Sequence, residues 1–205
     1  MEAVRTGLIE WAAAEGTRAG QTESGDRYLV APTPDGALVA VVDGLGHGAE
    51  AADAAKVAVR SLERHAQQPI IPLVRYCHHT LVGTRGAVIS VASFTARDQT
   101  MTWLGVGNVE GLLLRAQVTS PRRESLLLRG GVVGVHLPAL TAEIVPVTPG
   151  DTLILATDGV RSDFSHERFL QQGPPQVLAD SILARCGKQN DDALVLVVRY
   201  LGLPT

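Results

Sequence analysis

Val39-Ala40-Val41-Val42-Asp43-Gly44-Leu45-Gly46-His47-Gly48 is the stretch from which the fold can be read. An unbroken apolar run reads as a buried strand, a carboxylate closes it, and the alternating glycines make a tight turn. Residues 49–68 follow, rich in alanine and halted by Pro69, which predicts a helix. Strand, Gly-rich turn and helix place Asp43 at a strand end, where side chains of mixed α/β domains reach a ligand crevice. Asp-Gly is equally a common hairpin turn, and taken alone the dipeptide reads that way. A phosphate-cradling loop fits less well. The spacing is Gly-x-Gly-x-Gly, no Gly-Lys-Ser/Thr follows, and a carboxylate at the head of the loop repels phosphate unless a cation stands between them. If Asp43 is functional, the rest of the chain has to supply further hard oxygen ligands.

Outward from this stretch the same grammar recurs. Ser24-Gly25-Asp26 turns into a strand at 27–31, and 32–36 turns back into the strand at 37–42. Such a hairpin puts Asp26, at the start of one strand, and Asp43, at the end of its neighbour, on the same sheet edge. Far downstream the strand at 152–157 runs into Asp158-Gly159-Val160, and Asn190-Asp191-Asp192 leads into a strand at 193–198. Further strands are predicted at 4–14, 87–97, 100–106, 110–115, 124–129 and 142–147, the middle four as antiparallel meanders, with helices at 73–82, 164–172 and 176–186. His78 and His79 fall on a helix about 100° apart, which does not suit one metal. No low-complexity linker or repeat divides the chain, so residues 1–205 are expected to form one domain.

Composition narrows the partners. Aromatic residues are only 4%, so the core must be built from Ala, Val, Leu and Ile, and there is little to stack on nucleic-acid bases. The net charge is -3 with no basic block, which gives no electrostatic case for nucleic acid or an anionic membrane. Cys77 and Cys186 stand outside any zinc or disulfide spacing and fit a reducing compartment. No apolar run reaches spanning length and the N-terminus lacks a signal-like core. A cytoplasmic protein with a protein or small-molecule partner is expected.

Asp26, Asp43, Asp158 and Asp191 each flank an apolar strand. Each alone reads as a turn residue; together they favour a site. Carboxylates without Cys or His partners match hard divalent cations, Mn²⁺ or Mg²⁺, and a pair of such ions can clamp a phosphoryl group and activate water.

In this order, Ser-Gly-Asp (24–26), Val-Val-Asp-Gly-Leu-Gly-His-Gly (41–48), Ala-Thr-Asp-Gly-Val (156–160) and Asn-Asp-Asp-Ala-Leu-Val-Leu-Val (190–197) resemble the metal-dependent protein phosphatase (PPM) family. The Asp-Gly-Leu-Gly-His-Gly form is similar to its branch of bacterial serine phosphatases typified by SpoIIE, RsbU and RsbX. The resemblance spans Asp26 to Val198. It implies an α+β fold of two packed antiparallel β-sheets flanked by α-helices, an αββα sandwich, with two Mn²⁺ or Mg²⁺ ions at one edge. On that template Asp43 bridges both ions, Asp158 and Asp191 complete one, and Asp26 with the Gly44 carbonyl completes the other. Asp192 is the alternative to Asp191, and Gly159 keeps its turn open.

The resemblance further implies hydrolysis of phosphoserine or phosphothreonine on a partner protein. The chain starts almost at its first strand, without the large regulatory or membrane segments of SpoIIE and RsbU. That architecture is similar to the RsbX type and implies an enzyme resetting stressosome proteins in stress signalling. Two alternatives stand beside it: a SpoIIE/RsbU-like phosphatase acting on a phosphorylated anti-sigma-factor antagonist, and a non-catalytic binding module on the same fold. A nucleotide-binding α/β protein is a weaker rival, because Asp43 heads the loop.

Three departures from the family pattern bear on the site. Eukaryotic members carry a histidine directly after the first Asp-Gly, often assigned as general acid; here that residue is Leu45, and His47 comes two later, with an acid role and a helix-cap role both open. Arg18 and Arg27 are both candidates for holding the substrate phosphate. After the second Asp-Gly, Ser162 stands where an acid often falls and Asp163 follows one later, which weakens the case for a third metal.

Overall fold

The run at 38–42 is apolar throughout because both faces of its strand are covered. Val39 and Val41 pack inward with Leu153, Leu155, Leu196 and Val198 of a second sheet, while Leu38, Ala40 and Val42 pack outward against two helices. The strands of the second sheet repeat the pattern: Ile154, Val195 and Val197 turn away from the sandwich interior toward a third helix. The result is helix layer, sheet, sheet, helix layer, the αββα sandwich expected from the sequence.

The protein is described here by a computed structural model covering residues 4–117, 123–166 and 173–203. In chain order its elements are β1 (Val4–Thr6), β2 (Ile9–Gly16), β3 (Asp26–Thr33), β4 (Gly36–Gly44), α1 (Ala49–Arg64), α2 (Ile70–Leu81), β5 (Ala87–Thr95), β6 (Thr100–Val106), β7 (Glu110–Leu114), β8 (Arg123–Ser125), β9 (Glu143–Pro146), β10 (Thr152–Ala156), α3 (Pro175–Cys186) and β11 (Ala193–Tyr200). One sheet has the order β1-β2-β11-β10-β7-β8 and the other β3-β4-β5-β6-β9, with antiparallel pairing in each. Helices α1 and α2 cover the second sheet and α3 covers the first. The alanines of α1, among them Ala51, Ala54, Ala55 and Ala58, are buried. Their small side chains let the helix lie close on the sheet. A Cβ placed on Gly44 would lie 2.0 Å from the Ala51 carbonyl oxygen, so only glycine fits where the strand passes under the helix.

Several expectations need correction. The opening strand is two, β1 and β2, paired as a hairpin around Gly7 and Leu8. Ala12, Ala13 and Ala14 are strand because they pair with Val197, Leu196 and Val195 of β11, a tertiary constraint that outweighs their helix propensity. The four strands from 87 to 129 do not form one meander. β5 and β6 belong to one sheet and β7 and β8 to the other, the chain crossing between layers at Gly107, whose φ of +99° suits glycine. β8 ends at Ser125, well short of residue 129. α1 stops at Arg64, and α2 starts at Ile70 because Pro72 falls in its first turn, where no backbone N–H is needed. Phe164 lies in a 3₁₀ turn, Ser162–His166, and residues 167–172 of the expected helix lie outside the described residues.

Candidate metal centre

The β3–β4 register pairs Asp26 directly with Asp43. In the other sheet β10 ends just before Thr157 and Asp158, and its antiparallel neighbour β11 begins just after Asp191 and Asp192. The four predicted acids converge where these strand ends meet, lining a cleft of about 590 Å³ together with Arg18, Leu45, His47, Asn108 and Asp192.

Glycine makes this convergence possible at two points. A Cβ on Gly159 would sit 1.7 Å from the Asp192 carbonyl oxygen, so the 158–159 turn and the 191–192 turn pack backbone against backbone. Gly44 does the same against α1. A hydroxyl then ties the sheets together: Thr157 Oγ1 donates to Asp26 Oδ2 at 2.7 Å and accepts from the Leu194 N–H at 2.9 Å.

The hydrogen bonds sort the acids. Both oxygens of Asp192 are engaged, Oδ1 by the Arg18 N–H at 2.8 Å and Oδ2 by the Gly25 N–H at 2.7 Å, and the residue is buried. Asp192 is therefore a clamp holding the 18–25 loop. Asp191, which among the described residues accepts only the adjacent Asp192 N–H, is the freer member of the pair. Asp158 Oδ2 accepts from Asn108 Nδ2 at 2.8 Å, while Lys188 Nζ donates to the Asp158 carbonyl at 2.5 Å. Among the described residues no hydrogen bond or ion pair reaches the Asp43 carboxylate.

The electrostatics follow from this crowding. Burial pushes Asp43 up to about 8, and the neighbouring carboxylates Asp26, Asp158, Asp191 and Asp192 push in the same direction. Asp26 rises to about 7, again mainly through burial, with the Thr157 hydrogen bond opposing. Buried acids pressed on one another are destabilising unless positive charge joins them. Among the described residues no three His, Cys, Asp or Glu side chains form a ready-made metal cage. What the cleft offers is all-oxygen donors on separate strand ends around an unpartnered Asp43. That set fits Mn²⁺ or Mg²⁺, hard ions that keep several waters.

The two arginines left open by the sequence part company. Arg27 Nη1 donates to the carbonyls of Ser24 and Asp26 and is absent from the cleft lining, whereas Arg18 is part of it. His47 lines it as well. Asp163 faces Arg161 away from the cleft lining, and His78 accepts the Gly134 N–H on Nδ1 as a loop anchor. Sequence reasoning missed Asn108 and Lys188. Gly107-Asn108 between two strands carries only a turn signal, and nothing in the sequence brings it to Asp158.

Comparison with known proteins finds relatives in sequence and in fold. The SpoIIE family profile, Stage II sporulation protein E, matches residues 33–201. The phosphoserine phosphatase RsbX of Bacillus subtilis (strain 168) is 24% identical over 143 residues, 69% of each chain. The crystal structure of RsbX in complex with magnesium superimposes with a TM-score of 0.85 at 20% identity, covering 97% of this chain and 98% of that one. A chain solved in work named "The bacterial stressosome: a modular system that has been adapted to control secondary messenger signaling" has a TM-score of 0.83 and 27% identity over 93% of this chain and 99% of its own. The catalytic domain of the serine threonine protein phosphatase PstP, in complex with two manganese ions, has a TM-score of 0.74 at 18% identity, with 95% and 99% covered. Among the described residues no helix is long and apolar enough to cross a membrane. With the profile covering most of the chain, the chain belongs to the SpoIIE family and has the fold of PPM-type phosphatases.

Proposed function

We propose that this chain is a Mn²⁺- or Mg²⁺-dependent phosphatase that hydrolyses phosphoserine or phosphothreonine on a partner protein. The observation that carries the reading is the meeting of four strand-end aspartates around Asp43, a carboxylate with no protein partner among the described residues. Asp43 would hold two ions in common, Asp158 and Asp191 one of them, and Asp26 with the Gly44 carbonyl the other. Bound there, such ions would neutralise the phosphoryl oxygens and lower the pKa of water. Thr157 and Asn108 hydrogen-bond Asp26 and Asp158, and Arg18, which lines the cleft, would take a phosphoryl oxygen through its guanidinium.

The described cleft lining contains no cysteine or serine. Hydrolysis would then proceed by a single displacement: water oxygen bonds to phosphorus as the bond from phosphorus to the ester oxygen breaks, and the proton that the water gives up ends on the departing alkoxide. The similarity to RsbX and to the stressosome-associated chain supports a stressosome phosphoprotein as the substrate and resetting of that complex as the role. Hydrolysis of p-nitrophenyl phosphate with Mn²⁺, abolished by chelator and without a trappable phospho-enzyme, is the expected result. Equal turnover in chelator would remove the metal-dependent reading.

A further inference from the structure

Leu45 is 46% exposed although it stands two residues from Asp43, and it belongs to none of the packed apolar clusters. Its backbone is nevertheless held on every side. The Leu45 N–H donates to the Gly86 carbonyl at 3.0 Å, and Gly44 before it is pressed against Ala51. Gly46 after it has a φ of +95° and lies beneath the Arg85 guanidinium, which pairs with Glu50. The leucine is presented to solvent on a fixed loop.

Two further exposed aliphatic residues stand on neighbouring backbone. A Cβ on Gly86 would lie 3.0 Å from Val135 Cγ2, and Val135 is 62% exposed. Its loop is also pinned: the Gly134 N–H donates to His78 Nδ1 at 2.9 Å, and Gly134 presses on Leu81, whose neighbour Val82 is 63% exposed. Single exposed aliphatics are ordinary; Leu45 differs from these two in lining the acidic cleft itself.

The occupant follows from the cleft itself. A phosphoprotein that places its phosphate beside Asp43 must lay the residues flanking its phosphorylated side chain on the rim. There Leu45 is the exposed aliphatic group among charged and polar neighbours such as Arg18, His47 and Asn108. We propose that Leu45 selects phosphorylated segments carrying an aliphatic residue beside the phosphoserine or phosphothreonine. This assignment rests on the phosphatase reading above and adds the determinant of specificity.

The test uses the full chain with Mn²⁺, p-nitrophenyl phosphate, and two phosphoserine peptides differing only in a flanking leucine or serine. The wild type should favour the leucine peptide by about tenfold in kcat/KM, the scale of one apolar contact. Leu45→Ser should bring that ratio close to unity, and Leu45→Met should keep it. A merely structural role would change both peptides together and leave the ratio alone. A wild-type ratio of one with p-nitrophenyl phosphate still hydrolysed would overturn the specificity assignment and spare the phosphatase. An unchanged ratio in Leu45→Ser would also overturn it. Absence of p-nitrophenyl phosphate hydrolysis with Mn²⁺ would bring down the phosphatase reading and this inference together.

Discussion

Asp43 and Asp192 are both carboxylates beside a buried strand and both line the same cleft, yet the structure treats them oppositely. Asp192 receives two backbone N–H groups and closes a loop; Asp43 receives none among the described residues and is crowded by other acids. A buried acid whose hydrogen bonds are satisfied by the chain contributes to folding. One that the chain leaves unsatisfied costs stability and is kept for a ligand. The contrast predicts which acid serves the fold and which is kept for a ligand without reference to any relative.

The sharpest way to break the contrast is Asp43→Asn. Turnover and Mn²⁺ affinity should fall together by several orders of magnitude, while the variant melts at or above wild type in chelator, since folding no longer has to hold a buried carboxyl in its protonated form. It should also lose most of the upward shift in Tm that Mn²⁺ gives wild type by linkage. A lower Tm in chelator with an intact Mn²⁺ response would make Asp43 a turn former.

Asn108→Ala tests the partner that aligns Asp158. Outer partners of metal-ligating side chains are worth about 10- to 100-fold in affinity, and a Mn²⁺ titration of activity should show a loss in that range with the fold unchanged. No change would leave Asn108 as a turn residue only.

Asp192→Ala should behave in the opposite sense to Asp43→Asn. Leaving the Arg18 and Gly25 N–H groups without an acceptor costs roughly 1–3 kcal/mol each, so thermal melts should show a lower Tm in both chelator and Mn²⁺. A fall seen only with Mn²⁺ would instead make Asp192 a ligand.

The smallest effect is on pH dependence. In the metal-free protein Asp26 and Asp43 are raised to about 7 and about 8 from 3.8. Folded, they keep protons that the unfolded chain has released. Their contribution to stability is thus full below pH 3.8 and is lost as pH rises through 7 to 8. Melting in chelator should decline from pH 3.8 up to about 8, and Asp43→Asn should flatten the decline; a flat wild-type profile would show that burial and crowding do not raise these carboxyls.

Much of this was legible from residue order. The apolar runs ending in Asp-Gly marked strand ends, and the Asp26–Asp43 hairpin followed from the turn at 32–36, because both signals are local. Which sheet each strand joined was not legible. β6 and β7 lie three residues apart yet belong to different sheets, and the alanines of β2 became strand only through pairing with β11.

The sequence by itself determined the inventory: four acids at strand ends, glycines beside them, and an oxygen-only donor set. Only the tertiary structure decided which acid lacks a partner among the described residues, which arginine belongs to the cleft lining, and that Asn108 reaches Asp158. The physical reason is range. Strand ends and turns are set by neighbouring residues, whereas the hydrogen bonds that engage Asp192 and leave Asp43 open come from partners on the far side of the chain, joined to the site only when the two sheets close on one another.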